Sequence, residues 1–259
     1  MIITCNKQIV DIRYSGHTIS KVYACGGELV YDKDSGSTDS YMVMVRSETS
    51  SGDLTAYEPC NSSSAATNQI WVAEGSGTII NKEDVNVMWI GECAIEIGEG
   101  AFQNYTHLRL IPNSGANVRI INDYGFSQCI ALERIYFGCN LEEIGAFAFY
   151  NCSSLNNVTF CYSDTNVTSI GSNAFANCTS LTSVRLPRSL TTLGRNAFNG
   201  CTSLSTVYVD AVTPPSLPSQ SGAFDNCADN LRIIVPQASY EAYRKATGWT
   251  EYVNRIYTS

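Results

Sequence analysis

Histidine is scarce in this chain, and basic residues are outnumbered by acidic ones. Only His17 and His107 occur among 259 residues, and no two cysteines have the CxxC spacing of a zinc site. Sixteen Lys and Arg stand against 24 Asp and Glu, which gives a net charge of -8 and no basic patch that would bind a phosphate backbone. These absences argue against a metal centre and against a nucleic-acid partner.

Long apolar runs are absent too, since no stretch of 18 apolar residues occurs. The first residues, Met1 to Lys7, lack the basic segment and the apolar segment of an export signal. We therefore expect no membrane insertion and no signal peptide in the chain as given. Catalytic groups are equally sparse. The acidic pairs Glu83-Asp84 and Glu142-Glu143 are adjacent in sequence, and adjacent side chains usually point in different directions, so we expect solvated surface there. No phosphate-binding GxxxxGK[ST] occurs. We expect no enzyme and no cofactor.

A repeat begins near residue 96. Six units align on phenylalanines that are 24, 23, 26, 23 and 26 residues apart: Phe102, Phe126, Phe149, Phe175, Phe198 and Phe224. Ala or Gly precedes each Phe, and three residues after it stands a cysteine in all but the first unit: Cys129, Cys152, Cys178, Cys201 and Cys227. Because these cysteines keep the repeat period, we interpret them as small core residues. Pairing among the other six stays open: Cys5, Cys25, Cys60, Cys93, Cys139 and Cys161.

The unit from Ile170 to Pro187 shows how one coil is built. Ala174, Phe175 and Cys178 have the spacing of one face of a short helix, and Val184-Arg185-Leu186 alternates as a strand does. A polar amide recurs two residues after most of the phenylalanines, and we expect it to hydrogen-bond loop backbone: Asn104, Gln128, Asn151, Asn177 and Asn226.

Two stretches of the chain, 170–190 and 193–204, resemble the BspA-type leucine-rich repeat. The first begins Ile-Gly-Ser-Asn-Ala-Phe-Ala-Asn-Cys-Thr-Ser-Leu, and the second reads Leu-Gly-Arg-Asn-Ala-Phe-Asn-Gly-Cys-Thr-Ser-Leu. The resemblance covers about residues 94–236. It implies an α/β repeat, a right-handed solenoid with a parallel sheet on one face, of a kind found largely in bacterial surface proteins and used for adhesion and protein binding. It implies no catalytic residues.

Three regions follow from the pattern. Residues 1–93 form a β-rich N-terminal region with a linker near 33–40, residues 94–236 a solenoid of about six coils, and residues 237–259 a helical and aromatic C-terminal cap. The cap includes a helix over 238–247 that ends at Gly248. Residues 1–33, through Lys21 to Tyr31, resemble a short opening module of phage tail and virion proteins.

The strand alternation predicts the binding surface. Carrying the register of Val184-Arg185-Leu186 through the units gives two neighbouring columns of outward residues. The first column is Tyr136, Thr159, Arg185, Tyr208 and Ile234, and the second is Arg134, Asn157, Ser183, Thr206 and Arg232. Tyr and Arg are favoured anchors of interfaces, although the same positions are also tolerated as plain surface. We expect an extracellular binding or adhesion module on a bacterial surface or a phage particle, with a protein or glycan as partner. The alternative is a structural virion or appendage subunit in which the solenoid is a spacer or decoration and the N-terminal region docks to the assembly.

Overall fold

The structure is a computed structural model that describes residues 96–114, 117–161 and 166–259, together with seven strand segments before residue 91. Those early segments are β1 (Ile12–Tyr14), β2 (His17–Ile19), β3 (Lys21–Ala24), β4 (Glu28–Asp32), β5 (Val43–Ser47), β6 (Thr55–Glu58) and β7 (Val85–Ile90). The linker predicted near 33–40 lies outside the described residues. β1 pairs with β2, β3 with β4, and β5 with both β6 and β7, all antiparallel.

The main sheet of the solenoid uses one strand from each coil. Its strands are β9 (Leu110–Ser114), β11 (Arg134–Tyr136), β13 (Asn157–Thr159), β15 (Ser183–Leu186), β17 (Thr206–Val209), β18 (Arg232–Val235) and β19 (Ile256–Thr258). Every pair among them is parallel, but β13 and β15 do not pair, so the main sheet consists of two parts. β7 joins the N-terminal strands to β9. The predicted parallel-sheet solenoid is confirmed.

A second parallel sheet, which the sequence did not predict, runs along another side of the coils. It consists of five two-residue strands: β8 (Glu96–Ile97), β10 (Ile120–Ile121), β12 (Glu143–Ile144), β14 (Ser169–Ile170) and β16 (Thr192–Leu193). The second residue of each strand is buried, and a glycine follows most of them. At Gly145 and Gly171 an added Cβ would lie 2.6 Å from a backbone nitrogen of the preceding coil, so these glycines permit close coil approach.

The short helix predicted around Phe175 is wrong. The segment is a run of turns, in which the Ala176 N–H bonds the Asn173 carbonyl and the Phe175 N–H bonds Ala197 of the next coil. Asn173 and Asn177 have φ of 57° and 62°, which no α-helix contains. Apolar side chains three residues apart fit this run of turns with left-handed asparagines as well as they fit a helix.

The recurring amides lie at these left-handed positions. Asn104, Gln128, Asn151, Asn177 and Asn226 all have φ between 55° and 64°. Three of them also take part in hydrogen bonds between amides of neighbouring coils: Asn151 Nδ2 donates to Gln128 Oε1 at 2.6 Å, and Asn226 Nδ2 donates to Asn199 Oδ1 at 3.3 Å. Backbone conformation is therefore a reason for these residues that the sequence analysis missed.

Phenylalanine and cysteine fill the interior as continuous stacks. The six repeat phenylalanines stack ring on ring, with neighbouring centroids 5.1 to 5.7 Å apart. Beside them, each repeat cysteine points its Sγ at the carbonyl oxygen of the Phe one coil earlier, at 3.1 to 3.3 Å. The predicted core role of these cysteines is confirmed, since four are fully buried and Cys227 is partly buried.

The last residues close the apolar end of the stack. A 3-10 turn (Gln237–Ser239) leads into helix α1 (Tyr240–Lys245), which is shorter than the predicted 238–247, and a further 3-10 segment (Trp249–Arg255) precedes β19. Trp249 and Tyr252 pack on Phe224 with centroids 6.1 and 5.3 Å away. The polar ends of the buried aromatic rings are satisfied, because Trp249 Nε1 donates to the Pro215 carbonyl at 2.8 Å and Tyr243 donates to that of Ala211 at 2.7 Å.

Candidate binding groove on the strand face

The main sheet presents the two predicted columns on its outer side. In five of its strands, β11, β13, β15, β17 and β18, the second residue is buried and the residues on either side of it are exposed or half-buried. The buried residues are Ile135, Val158, Val184, Val207 and Ile233. Arg134 lies opposite Asn157 and Tyr136 opposite Thr159; Ser183, Thr206 and Arg232 form one row, and Arg185, Tyr208 and Ile234 the other. The ten residues are therefore aligned as two rows within each part of the sheet.

The rows are interrupted between β13 and β15. In the described structure β13 ends a six-stranded sheet and β15 begins a separate four-stranded one, so the two strands do not pair. The coil at this point is longer, with 26 residues from Phe149 to Phe175 against 23 from Phe126 to Phe149. The extra residues fall between β13 and β14, where 162–165 lie outside the described part. This break was not predicted.

A groove of about 860 Å³ opens at the break. Its lining comprises Asn157, Val158, Thr159, Phe160, Cys161, Ser183, Val184, Arg185, Pro187, Arg188, Ser189, Tyr208 and Asp210. Val158 and Phe160 keep 6% and 7% of their surface exposed, whereas Ile135 and Val207 in unbroken parts of the sheet keep 1% and 0%. The groove thus reaches toward the apolar core and is bordered by polar and charged side chains.

Five of the ten predicted residues line the groove and five do not. Asn157, Thr159, Ser183, Arg185 and Tyr208 are in it; Arg134, Tyr136, Thr206, Arg232 and Ile234 are outside its lining. Outside it, Tyr136 is 50% exposed, and the Arg232 guanidinium lies 4.5 Å from the centroid of the Tyr257 ring. Inside it, Thr159 Oγ1 donates to Asn157 Oδ1 at 2.7 Å.

Arg185 is the most constrained cation of the groove. Its Nη1 donates to both carboxylate oxygens of Asp210, at 2.8 and 3.0 Å, and its guanidinium lies 4.7 Å from the Tyr208 ring centroid. Asp210 follows β17 and was missed by sequence reasoning, although its position 25 residues after Arg185 is about one repeat. Arg188 is exposed and forms no ion pair with any described residue.

A disulfide adjoins the groove. Cys139 and Cys161 are bonded, with their Cα atoms 5.0 Å apart, and link the coil of β11 to that of β13. The sequence left pairing among the off-register cysteines open. Because Cys161 belongs to the lining, the bridge fixes one wall to the neighbouring coil.

Four of the repeat cysteines are poor nucleophiles. Burial raises the pKa of the Cys129 thiol and the pKa of the Cys227 thiol to about 12, and it raises the pKa values of Cys152 and Cys178 well above their ordinary value. A thiol with a raised pKa stays protonated at neutral pH, and the protonated form is a poor nucleophile. Among the described residues no group of His, Cys, Asp and Glu is placed to hold a metal ion. The described helices are also too short or too polar to span a bilayer.

The repeat geometry agrees with a known protein family. The model of the BspA type leucine rich repeat region matches residues 81–205 and 162–246, in six copies, which together span more than half of the chain. This chain belongs to that family. Among solved structures, the leucine rich repeat protein of T. pallidum is 27% identical, with a TM-score of 0.51; the match covers 67% of this chain and 80% of that one.

Two further solved structures are less similar to this chain. A leucine rich cell surface protein from Faecalibacterium prausnitzii is 22% identical over 59% of this chain and 55% of its own, with a TM-score of 0.41. The pneumococcal vaccine antigen PcpA is 15% identical over 74% of this chain and 45% of its own, with a TM-score of 0.40. A comparison with curated proteins finds no significant match. The resemblance of residues 1–33 to phage modules stays a prediction.

Proposed function

We propose that this BspA-type protein is a non-enzymatic binding module that attaches to a protein or glycan through the outer face of its main sheet. The observation that carries the proposal is the groove between β13 and β15, where five outward residues of the predicted columns surround an opening toward the core. Its volume of about 860 Å³ lies within the usual range of ligand sites, roughly 300 to 1,000 Å³.

The side chains of the face are of the kinds that anchor interfaces. Tyr208 and Arg185 meet in the groove, and Tyr136 stands half-exposed beyond it. Tyr and Arg are enriched among the residues that contribute most to binding, especially where they border an apolar floor. Here Val158 and Phe160 supply that floor.

An extracellular location is part of the proposal. The Cys139–Cys161 disulfide supports it, because disulfides persist in oxidising surroundings and are rare in the cytosol. Display on a bacterial surface is the setting we favour, and display on a phage particle would meet the same redox condition.

The test is capture of partners from bacterial and host surface extracts by immobilised protein. Wild type is compared with the triple variant Tyr136→Ala, Arg185→Ala, Tyr208→Ala, and with Arg244→Ala, which removes an exposed arginine from the cap helix. Circular dichroism verifies that each variant is folded. We expect the triple variant to lose a captured partner that wild type and Arg244→Ala retain. Undiminished capture by the triple variant would refute the strand face as the binding surface, and a wild type that captures no partner would favour a structural spacer.

A further inference from the structure

We propose that the part of the main sheet from β15 to β19 binds a linear β-1,4-linked glycan, which lies across the strands on the rings of Tyr208 and Tyr257. This inference rests on the proposed function and names the chemistry of its ligand. Three observations carry it: the spacing of the two rings, an arginine against each ring, and a neighbouring row of polar side chains. All of these residues lie within 166–259, which the structure describes without a gap.

The two rings belong to one row that crosses four paired strands. In strand order the row is Arg185, Tyr208, Ile234 and Tyr257. Tyr257 is 41% exposed and was missed by the sequence analysis, because its strand follows the last repeat. The two tyrosines are two strands apart, which is about 9.6 Å at the usual strand spacing of about 4.8 Å.

This spacing matches the period of a β-1,4-linked glycan. Successive sugars in such a chain face opposite ways, so the same face recurs once per disaccharide, a length close to two strand spacings. An extended peptide repeats the same face every two residues, about 6.8 Å, and is out of step with the two rings. A glycan that follows the row therefore places alternate sugars on Tyr208 and Tyr257, with Ile234 beneath the sugar between them.

An arginine lies against each ring. The Arg185 guanidinium is 4.7 Å from the centroid of Tyr208, and the Arg232 guanidinium is 4.5 Å from the centroid of Tyr257. A guanidinium at this distance is attracted to the ring, so each pair orients the other before a ligand arrives. Each guanidinium has five N–H donors, of which Arg185 uses only those of Nη1 for Asp210, so donors for sugar hydroxyls stand beside both rings.

The neighbouring row of the same strands is polar. It consists of Ser183, Thr206 and Arg232, of which Ser183 and Arg232 are exposed and Thr206 is half-buried. A sugar has C–H groups on the faces of its ring and hydroxyls around its edge, so an aromatic row beside a row of hydroxyl and guanidinium groups is complementary to a glycan lying along both. An amphipathic helix would require an apolar strip in place of the second row.

Isothermal titration calorimetry on the full chain tests the proposal. Cellohexaose and chitohexaose are the probes, two uncharged β-1,4-linked glycans that differ at carbon 2 of each sugar. Maltohexaose is the matched control, because it has the sugars of cellohexaose in α-1,4 linkage and curls instead of repeating its face along a line. We expect at least one β-1,4-linked hexamer to bind about ten-fold or more tighter than maltohexaose, and its own disaccharide, too short to reach both rings, to bind at least about ten-fold more weakly.

Variants assign the binding to the row. Tyr208→Ala and Tyr257→Ala should each weaken binding of the hexamer about ten-fold, whereas Tyr257→Phe, which keeps the ring, should stay within about two-fold. The control is Tyr240→Ala, which removes the ring of another arginine–tyrosine pair, in the cap helix, where the Arg244 guanidinium lies 5.3 Å from the Tyr240 centroid. It should also stay within about two-fold of wild type. Circular dichroism verifies that each variant is folded.

Three results would overturn the inference: no binding of either β-1,4-linked hexamer, equal binding of the β-linked and α-linked hexamers, or a Tyr257→Ala variant that binds as tightly as wild type. If one of them is found but the triple variant still loses a captured partner, only this inference fails. If capture is also unchanged, the proposed function fails with it.

Discussion

Replacing Gly194 with alanine should destabilise the protein by about 2 to 4 kcal/mol, although the residue added is small. A Cβ at Gly194 would lie 2.5 Å from the carbonyl carbon of Gly171 in the preceding coil. Ordinary contact begins near 3.4 Å, so the two coils must separate locally by about 1 Å. The Gly194 N–H bonds the Ile170 carbonyl at 2.8 Å, and that hydrogen bond would stretch to about 3.8 Å and be lost.

The magnitude combines two terms. Overpacking a close contact costs about 1 to 3 kcal/mol, and the lost backbone hydrogen bond adds about 1 kcal/mol. A matched control is Gly100→Ala, because Gly100 has φ of 59° and its added Cβ would meet nothing nearer than Gln103 Oε1 at 3.7 Å. That substitution should cost only about 1 kcal/mol, the penalty of a left-handed backbone.

Urea unfolding followed by circular dichroism measures both variants against wild type. The comparison uses midpoints with a common slope, since a changed slope would signal loss of two-state behaviour in the repeat array. If Gly100→Ala is as destabilising as Gly194→Ala, the close approach of two coils is not what excludes a larger residue at position 194, and the reasoning is refuted.

Other predictions follow from the core and the disulfide. Phe175→Ala should cost about 3 to 5 kcal/mol in urea unfolding, because the ring is fully buried between two stacked neighbours; a cost near 1 kcal/mol would contradict the stack. Cys129 should resist iodoacetamide at pH 8 in the folded protein and react in urea, as read by mass spectrometry. Because its folded pKa of about 12 exceeds the unfolded value, its stabilising contribution is complete below about pH 9 and is lost as the pH rises toward 12; urea midpoints that do not fall over this range would contradict it. Reducing the Cys139–Cys161 bridge should lower stability by about 3 kcal/mol, and an unchanged midpoint under dithiothreitol would contradict the bond.

The repeat could be predicted because its residues are in phase for one physical reason. Phe and Cys recur together because each Phe ring stacks on the Phe of the next coil and each Cys lies against the Phe carbonyl of the coil before it. The strand residues keep a two-residue alternation. The turn region could not be predicted in the same way, because Ala174, Phe175 and Cys178 have a spacing that suits a helix and a chain of left-handed turns equally. Two-residue strands such as Thr192–Leu193 are too short to leave any alternation in the sequence.

The groove escaped prediction for a different reason. Two intervals of the repeat contain 26 residues, Phe149 to Phe175 and Phe198 to Phe224, so length alone makes the two coils look alike. Yet β17 and β18 remain paired across the second interval, while β13 and β15 separate across the first. Coil length therefore does not reveal whether two strands pair; the position of the extra residues within the coil matters as well. Asp210 was missed for a similar reason, because it becomes a partner of Arg185 only once the coils are stacked.

The contrast between the two long coils bears on function. Closing the sheet between β13 and β15 would add several ladder hydrogen bonds, each contributing roughly 0.5 to 1.5 kcal/mol, and would cover Val158 and Phe160 fully. The second long coil shows that a 26-residue interval is compatible with such closure. The open break is accompanied by a disulfide on one wall and by the Arg185–Asp210 pair on the other. Both fix the borders of the groove while leaving it accessible, which is the arrangement that a preformed binding site requires.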